Sequence, residues 1–204
     1  MTYAFLTDTD IHTFIREEFK NGLTSSVSGQ PASAFILLSE QTAIIQIKNK
    51  LRDRYKVEEI FSIPDPWDES AEYQVGALVT KGDKFFAAIL ENTGVDPDPA
   101  PPEEPDPEEP PAEPEEPVDP SWEISDPRNS FIVMITSDIM LYHLHARLSP
   151  RAVSDFRVKR YEDALSWLDQ VKDGLENPDL PLLDDEDDPE LNFGFDQQTR
   201  DHYY

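Results

Sequence analysis

Residues 128–174 read RNSFIVMITSDIMLYHLHARLSPRAVSDFRVKRYEDALSWLDQVKDG, and this stretch decides the fold. Its first half carries apolar side chains at helical spacing and on nearly every side, which predicts a buried central helix. They are Phe131, Met134, Ile135, Ile139, Leu141, Tyr142, Leu144 and Leu148. Ser149 and Pro150 then suit a new helix start, since serine caps helices and proline is tolerated in the first turn. The second helix is amphipathic and ends at Gly174; its apolar residues are Phe156, Tyr161, Leu165, Leu168 and Val171.

Two more helices are predicted near the N-terminus. Thr7 and Asp10 have the spacing of a capping box, in which each side chain binds a free amide of the first helical turn. An apolar stripe follows as far as a stop at Gly22; it consists of Ile11, Phe14, Ile15 and Phe19. After a loop over residues 23–33, a second helix is predicted from about Leu38 to Tyr55, with Ile44, Ile47, Leu51 and Tyr55 on one stripe.

Between the two helix pairs the pattern changes. Residues 73–91 carry β-branched and aromatic side chains around Lys81-Gly82-Asp83, which predicts a β-hairpin with a tight turn. A two-stranded hairpin is marginal in water and needs a cover. The candidates for a small aromatic core are Trp67, Tyr73, Phe85, Phe86 and Trp122.

The charge is concentrated in two segments. The 204 residues have a net charge of -26. Residues 96–120 hold 11 acids, 11 prolines and no base, and residues 184–190 hold six more acids. Without these segments the net charge is about -9, an ordinary value for a small domain. A run of this composition cannot bury apolar surface, so residues 96–120 are predicted to be a disordered, extended linker.

The predicted fold class is therefore mainly α: a small bundle of about four helices with an inserted small β-hairpin module and a disordered acidic, proline-rich linker. The bundle takes residues 1–62 and 128–175. The hairpin module takes residues 63–95 plus 121–125, with 96–120 as the linker. Residues 176–204 form a C-terminal tail. Deleting residues 64–125 is expected to spare the helical fold.

The sequence offers little for catalysis. No nucleophile elbow, Walker loop, dinucleotide fingerprint or zinc spacing is present. His143 and His145 lie two apart on a helix and point to different faces, so they cannot chelate one metal together. Asp138 is an acid among apolar neighbours, and pairing with Arg147 or Arg160 is expected. The prediction is a protein that is not an enzyme, with no catalytic residue, no metal and no cofactor.

No signal peptide and no membrane span are predicted. The N-terminus lacks a basic segment followed by an apolar run. The longest apolar stretch, near Phe131 to Leu148, is broken by polar residues and falls short of a span. The chain has no cysteine, which excludes disulfides and thiolate metal sites. We expect a soluble protein without a membrane partner.

Residues 1–62 and 128–175 resemble the head-completion and neck proteins of Mu-like phages. The most specific motif is D-I-x-L-Y-H-L-H-x-R followed by R-V-K-R-Y-E-D-A-L-S-W-L. In this chain its marked positions include Asp138, Tyr142, Arg147, Arg157, Tyr161 and Trp167. The closing FGF…RDHYY is also similar to the tails of such proteins, through Phe193, Phe195, Arg200, Tyr203 and Tyr204.

This resemblance implies a structural virion protein, the head-to-tail connector or adaptor. Such a subunit is made in the host cytoplasm and resides in the neck of the virion. It would assemble as a homo-oligomeric, twelve-fold ring under the portal protein and extend the DNA channel. Its other partners would be neck and tail proteins, and genomic DNA passing without sequence-specific contact. The tail would dock on a neighbouring subunit or the portal. A stopper ring of the same connector is an alternative.

Residues 67–122 resemble the small chitin-binding modules of secreted hydrolases. The motif is W67-x5-Y73-x2-G76-x2-V79-x2-G82-x3-F86-A87, then G94-x2-P97 and W122. This chain departs from the pattern at residues 88–90, where Ala, Ile and Leu replace exposed tryptophans. The resemblance therefore implies a retained scaffold with a weakened sugar platform. A protein-contact element is the first expectation, and a carbohydrate-binding or host-contact module is the alternative.

Overall fold

The computed structural model describes residues 5–14, 32–99, 121–148 and 153–184. The helices are α1 (Asp8–Phe14), α2 (Ala32–Leu51), α3 (Val57–Ile60), α4 (Ser130–Leu148) and α5 (Asp155–Lys172). The strands are β1 (Glu72–Tyr73), β2 (Leu78–Lys81), β3 (Lys84–Ala88), β4 (Asn92–Thr93) and β5 (Trp122–Ile124). These residues combine helices with small antiparallel sheets, which is a more mixed fold than a mainly α bundle.

Three long helices, α2, α4 and α5, pack together, and each contacts both of the others. Along α2 and α4, Gln46 lies against His143 and Thr42 against Arg147, so these two helices are antiparallel. Helix α5 returns antiparallel to α4. The predicted central helix is confirmed, because α4 contributes a long run of buried side chains. They include Ile132, Ile135, Ile139, Met140, Leu141 and Leu144.

Two helix boundaries differ from the prediction. Helix α2 begins at Ala32 and ends at Leu51, several residues earlier at each end than predicted. Helix α5 begins at Asp155, not at Ser149, because Ser154 is its N-cap and accepts a 3.3 Å hydrogen bond from the amide of Arg157. The predicted end is confirmed. Gly174 has φ +76, a left-handed conformation that glycine adopts without strain.

The predicted capping box is confirmed at α1. The Thr7 amide donates to Oδ2 of Asp10 at 2.8 Å, and the Asp10 amide donates to Oγ1 of Thr7 at 3.1 Å. A second cap comes from far along the chain. The amides of Asp8 and Thr9 donate to the carboxylate of Asp83 at 2.7 and 2.6 Å. The hairpin turn therefore supplies an acceptor to the first helix. The predicted continuation of α1 to Phe19 lies outside the described residues.

Removing the long-range cap should have a measurable cost. We expect Asp83→Ala to lower the free energy of unfolding by about 1 to 2 kcal/mol, because two helix-terminal amides lose their acceptor. Asp83→Asn should lose less stability, since its single amide oxygen still accepts from one of the two backbone amides. Urea denaturation followed by circular dichroism measures both changes. Equal losses in the two variants would contradict a capping role.

The predicted hairpin is confirmed, and strands that the sequence did not indicate surround it. β2 and β3 are antiparallel, and Gly82 in the turn has φ +61. β5 pairs with the other side of β3, so a three-stranded sheet forms in the order β2-β3-β5. β1 and β4 form a separate two-stranded sheet. The third strand supplies cover that a lone hairpin would lack.

Neighbouring side chains of β3 have different surroundings. Phe86 and Ala88 pack with Val79 and Trp122 in a cluster that Trp67, Tyr73 and Ala77 flank. Phe85 was predicted in this aromatic core, and that prediction is wrong. Successive residues of a strand point to opposite faces, and the ring of Phe85 instead lies 4.5 Å from the Arg128 guanidinium carbon, beside the helical core.

The first part of the C-terminal tail lies against its own chain. The amide of Lys56 donates to the carbonyl of Pro181 at 2.8 Å, and the amide of Leu183 donates to the carbonyl of Arg54 at 3.0 Å. Leu180 is buried in the helical core. Residues 180–183, the first part of the predicted tail, therefore contact the helical part of their own chain, and docking of the tail on a neighbour stays a prediction. Within the described ranges no helix is long and apolar enough to cross a membrane.

Candidate functional site

All the named motif residues of α4 and α5 except Arg147 meet at one helix–helix interface, with a buried ion pair at its centre. The side chain of Asp138 is 5% exposed. Its Oδ2 lies 2.7 Å from Nη2 of Arg160, and Nε of the same guanidinium donates to Oδ1 at 3.1 Å. Arg157 is the second cation, 3.6 Å from Oδ1. Two guanidiniums around one buried carboxylate form an ion-paired cluster between the two helices.

The expected partner of Asp138 is confirmed for Arg160. Arg147, the other candidate, is directed away and donates to Oγ1 of Thr42 on α2 at 3.1 Å. Burial lowers the pKa of Arg157, and the carboxylate of Asp138 opposes that shift. Arginine stays protonated in proteins, so the guanidinium remains charged.

Aromatic rings fill the interface on either side of the ion pair. Tyr142 of α4 stacks on Tyr161 of α5 with centroids 3.9 Å apart and planes at 8°. At the other end, Phe131 meets Trp167 edge to face at 4.7 Å. The motif side chains are therefore used to join two helices. They line no cleft.

The two histidines point to different faces, as predicted. Nε2 of His143 lies 3.1 Å from Oε1 of Gln46. His145 is buried, and because a carbonyl only accepts, its Nδ1 donates to the oxygen of Leu141 at 2.7 Å. Burial lowers the pKa of both imidazoles, with Arg147 adding to the effect at His143. Across the described ranges, no three metal-ligating side chains come together.

The lowered pKa values predict acid destabilisation. The unfolded histidines, with pKa near 6.5, bind protons before the folded ones do. Stability should therefore be full above pH 6.5 and decline as the pH falls below it. Melting temperatures between pH 7.5 and 5.5 measure the decline. It should be smaller in His143→Gln and unchanged in His12→Gln, whose imidazole is exposed. A melting temperature that does not change with pH would refute the prediction.

The hairpin module holds the predicted aromatic residues together. Tyr73 meets Trp122 edge to face at 5.1 Å, and Nε1 of Trp122 donates to the carbonyl of Val95 at 2.9 Å. Trp122 is 7% exposed. The Lys81 ammonium lies 4.6 Å from the ring centre of Trp67. Sugar recognition needs open aromatic faces, and here both indoles are engaged within the module.

The start of the acidic linker is held by the hairpin. Lys81 pairs with Asp96, and Nζ of Lys84 lies 2.8 Å from Oδ1 of Asp98. The first acids of the segment therefore have basic partners. Residues 100–120 lie outside the described part of the chain, as do the tail residues Phe193, Phe195, Arg200, Tyr203 and Tyr204.

Two adjoining shallow grooves, each of about 380 Å³, lie on the helical part. The first extends to Leu78 of the hairpin module, and the second to Leu180 and Pro181 of the C-terminal segment. Both are lined by Glu59, Ile60, Ser62 and Pro127. Arg128 at their edge is the one lining residue with a shifted pKa: burial lowers it, but bonds to Asp126 and Asp10 outweigh burial and raise it. In the shared lining, the Ser62 hydroxyl donates to the backbone carbonyl of Glu59 at 2.9 Å.

Sequence reasoning missed three residues that join the parts of the molecule: Asp83, Arg128 and Glu40. Glu40 is fully buried, and its Oε1 accepts from the amides of Phe5 and Leu6 at 2.7 and 2.6 Å. Glu40 lies four residues before Ile44, on the apolar stripe of the predicted helix, and this position alone could have predicted that it is buried. A carboxylate on a buried stripe must have donors.

Comparison with family models, with curated proteins and with solved structures found no match to this chain.

Proposed function

We propose that this chain is a structural subunit of a phage head-to-tail connector, assembling as a ring under the portal and joining head to tail. The observation that carries the proposal is the use of the motif residues. Asp138, Tyr142, Arg157, Tyr161 and Trp167 all serve to pack α4 on α5. A resemblance carried by packing residues favours a shared scaffold over a shared chemistry.

The surface of the helices supports an assembling role. Leu38 and Ile45 are exposed on the same side of α2, at 48% and 59%, and Phe156 is exposed on α5, at 67%. Apolar side chains grouped on a surface are typical of protein contacts. The acidic segments repel phosphate, so they suit a channel past which DNA slides without being bound. Twelve copies, the portal and the other neck proteins as partners, and residence in the virion neck belong to the same proposal.

We do not propose glycan recognition, because Trp122 is buried and Lys81 covers Trp67. Nor do we propose an enzyme, because the one strongly buried acid of the α4–α5 interface is neutralised by two arginines.

Reconstruction of the virion neck tests the proposal. The subunit should form a ring at the unique portal vertex, and its level in the neck distinguishes the adaptor from the stopper. Density for this chain over the capsid shell or at fibre tips would overturn the proposal. The full chain on a glycan array is the matching test of the alternative, and binding there would argue for a host-contact role.

A further inference from the structure

Helix α2 presents one exposed stripe that carries no charge over four turns. Its exposed residues recur three or four positions apart, which places them on one side of the helix. They are Ala34, Leu38, Gln41, Ile45 and Asn49, with Arg52 beyond them. In a chain of net charge -26, such a stripe is a candidate seam for another helix.

Helix α5 presents a matching exposed stripe. It has the same alternating spacing and consists of Phe156, Lys159, Asp163, Ser166, Gln170 and Asp173. Phe156, at its first turn, is 67% exposed. The last residue is acidic, whereas the α2 stripe ends in Arg52, whose Nε lies 3.7 Å from Oδ1 of the neighbouring Asp53. The two stripes thus share an apolar first end and have opposite charges at the last.

The two helices run parallel within one chain, which fixes the level of each residue. Lys50 pairs with Asp169, and Nη1 of Arg54 donates to the carbonyl of Val171 at 2.7 Å. Leu38 therefore lies about 18 Å before the first pair along the axis, and Phe156 about 20 Å before it, at 1.5 Å per residue. By the same count Arg52 and Asp173 lie level to within about 3 Å.

We propose that the exposed stripe of α2 packs against the exposed stripe of α5 on a second copy of this chain. The inference rests on the proposed function, because it names the contact by which the ring forms. Two different surfaces meeting head to tail generate a closed ring when the rotation closes. With the ring axis along the helices, residues that are level within one copy stay level across the contact. Leu38 then meets Phe156, and Arg52 meets Asp173.

In this alignment a charged side chain of α5 faces an apolar side chain of α2 on the neighbouring copy. Asp163 lies level with Ile45, whose exposure is 59%. Replacing that carboxylate by an apolar group should therefore strengthen association. Asp163→Leu should lower the dissociation constant of the assembly roughly tenfold, as expected for the burial of about two methylene groups.

The absence of cysteine gives a direct test with two single variants. Leu38→Cys and Phe156→Cys chains are prepared separately, mixed and oxidised, since a disulfide requires Cα atoms within about 7 Å. The mixture should give dimers whose intact mass equals one chain of each variant, and neither variant alone should give dimers. Leu38→Cys mixed with Val75→Cys, an exposed position of the hairpin region, is the control and should stay uncrosslinked.

Three results would overturn the inference. Dimers of Leu38→Cys alone would mean that the α2 stripe meets itself. An unlinked mixture, whether the chain sediments as an oligomer or as a monomer, would mean that another surface or segment covers the stripe. Arg52→Glu should weaken the assembly, and adding Asp173→Arg should restore it. If the second substitution does not restore assembly, Arg52 and Asp173 do not pair between copies. If the chain forms a ring in the neck but these crosslinks do not form, the proposed function stands and this contact is wrong. If the crosslinks form but the chain is not in the neck, the contact stands and the proposed function is wrong.

Discussion

Replacing Arg128 with alanine should lower the free energy of unfolding by about 3 kcal/mol or more. Its guanidinium joins parts of the chain that are distant in sequence. Nη1 donates to the carbonyl of Phe5 and to Oδ2 of Asp10, each at 2.7 Å, and Nη2 lies 2.6 Å from Oδ2 of Asp126. Without it, a buried carbonyl and a largely buried carboxylate lose their donor.

A surface pair in the same region is the matched control. Lys84 and Asp98 are about half exposed, so Lys84→Ala should change stability by less than about 1 kcal/mol. Arg128→Lys should give an intermediate loss, because an ammonium keeps the charge but not the fork of donors. Urea denaturation of the three variants measures the differences. If Arg128→Ala is as stable as Lys84→Ala, the side chain does not hold the two parts together.

The ion pair of Asp126 and Arg128 should stabilise the protein less at low pH. Burial alone would raise the pKa of Asp126, but its hydrogen bonds to Arg128 outweigh burial and lower it. A carboxyl whose folded pKa is lowered stabilises the protein above its unfolded pKa, 3.8 here, and that stability is lost as the pH falls through the folded pKa. Arg128→Ala should remove this contribution, which the acid limb of the stability profile would reveal.

Local patterns predicted the elements of this fold well. The period of α4, the capping box of Thr7 and Asp10, the turn at Gly82 and the stop at Gly174 each depend on neighbours within a few residues. The buried pair of Asp138 and Arg160 could also be predicted, because an acid on an apolar helix requires a cation. These are features for which sequence distance and contact distance nearly coincide.

Long-range contacts were missed for the same reason. Asp83 caps a helix 75 positions away, and β5 joins β3 across the acidic segment. The residues next to Asp83 in sequence are those of an ordinary turn, and the residues of β5 resemble the end of a linker. Neither segment has a neighbouring pattern that predicts its distant contact. The insert is bound to the helical part by more than its two chain connections. Deleting residues 64–125 would remove both the Asp83 cap and the ring of Phe85. That deletion should now cost stability even where the helices still form.

The Asp138 site gives the second large effect. Asp138→Ala should lower the free energy of unfolding by about 3 kcal/mol, since it leaves Arg157, whose side chain is 15% exposed, without its carboxylate. Arg160 is 36% exposed and can recover water, so Arg160→Ala should cost less. The difference between the two single variants reports which partner is held in the interior.

An apolar replacement of both partners separates a structural ion pair from a functional one. Buried ion pairs are often replaced by well-packed apolar residues with little loss. Asp138→Leu with Arg157→Met should therefore recover at least half of the loss caused by Asp138→Ala, since the remaining Arg160 is 36% exposed and can reach water. The same double variant should retain self-association in sedimentation experiments, because neither side chain lies on the exposed stripes of α2 and α5. A stable double variant that no longer assembles would show that the charges act beyond the helix interface. A double variant as unstable as Asp138→Ala would show that the interface needs the charged pair itself.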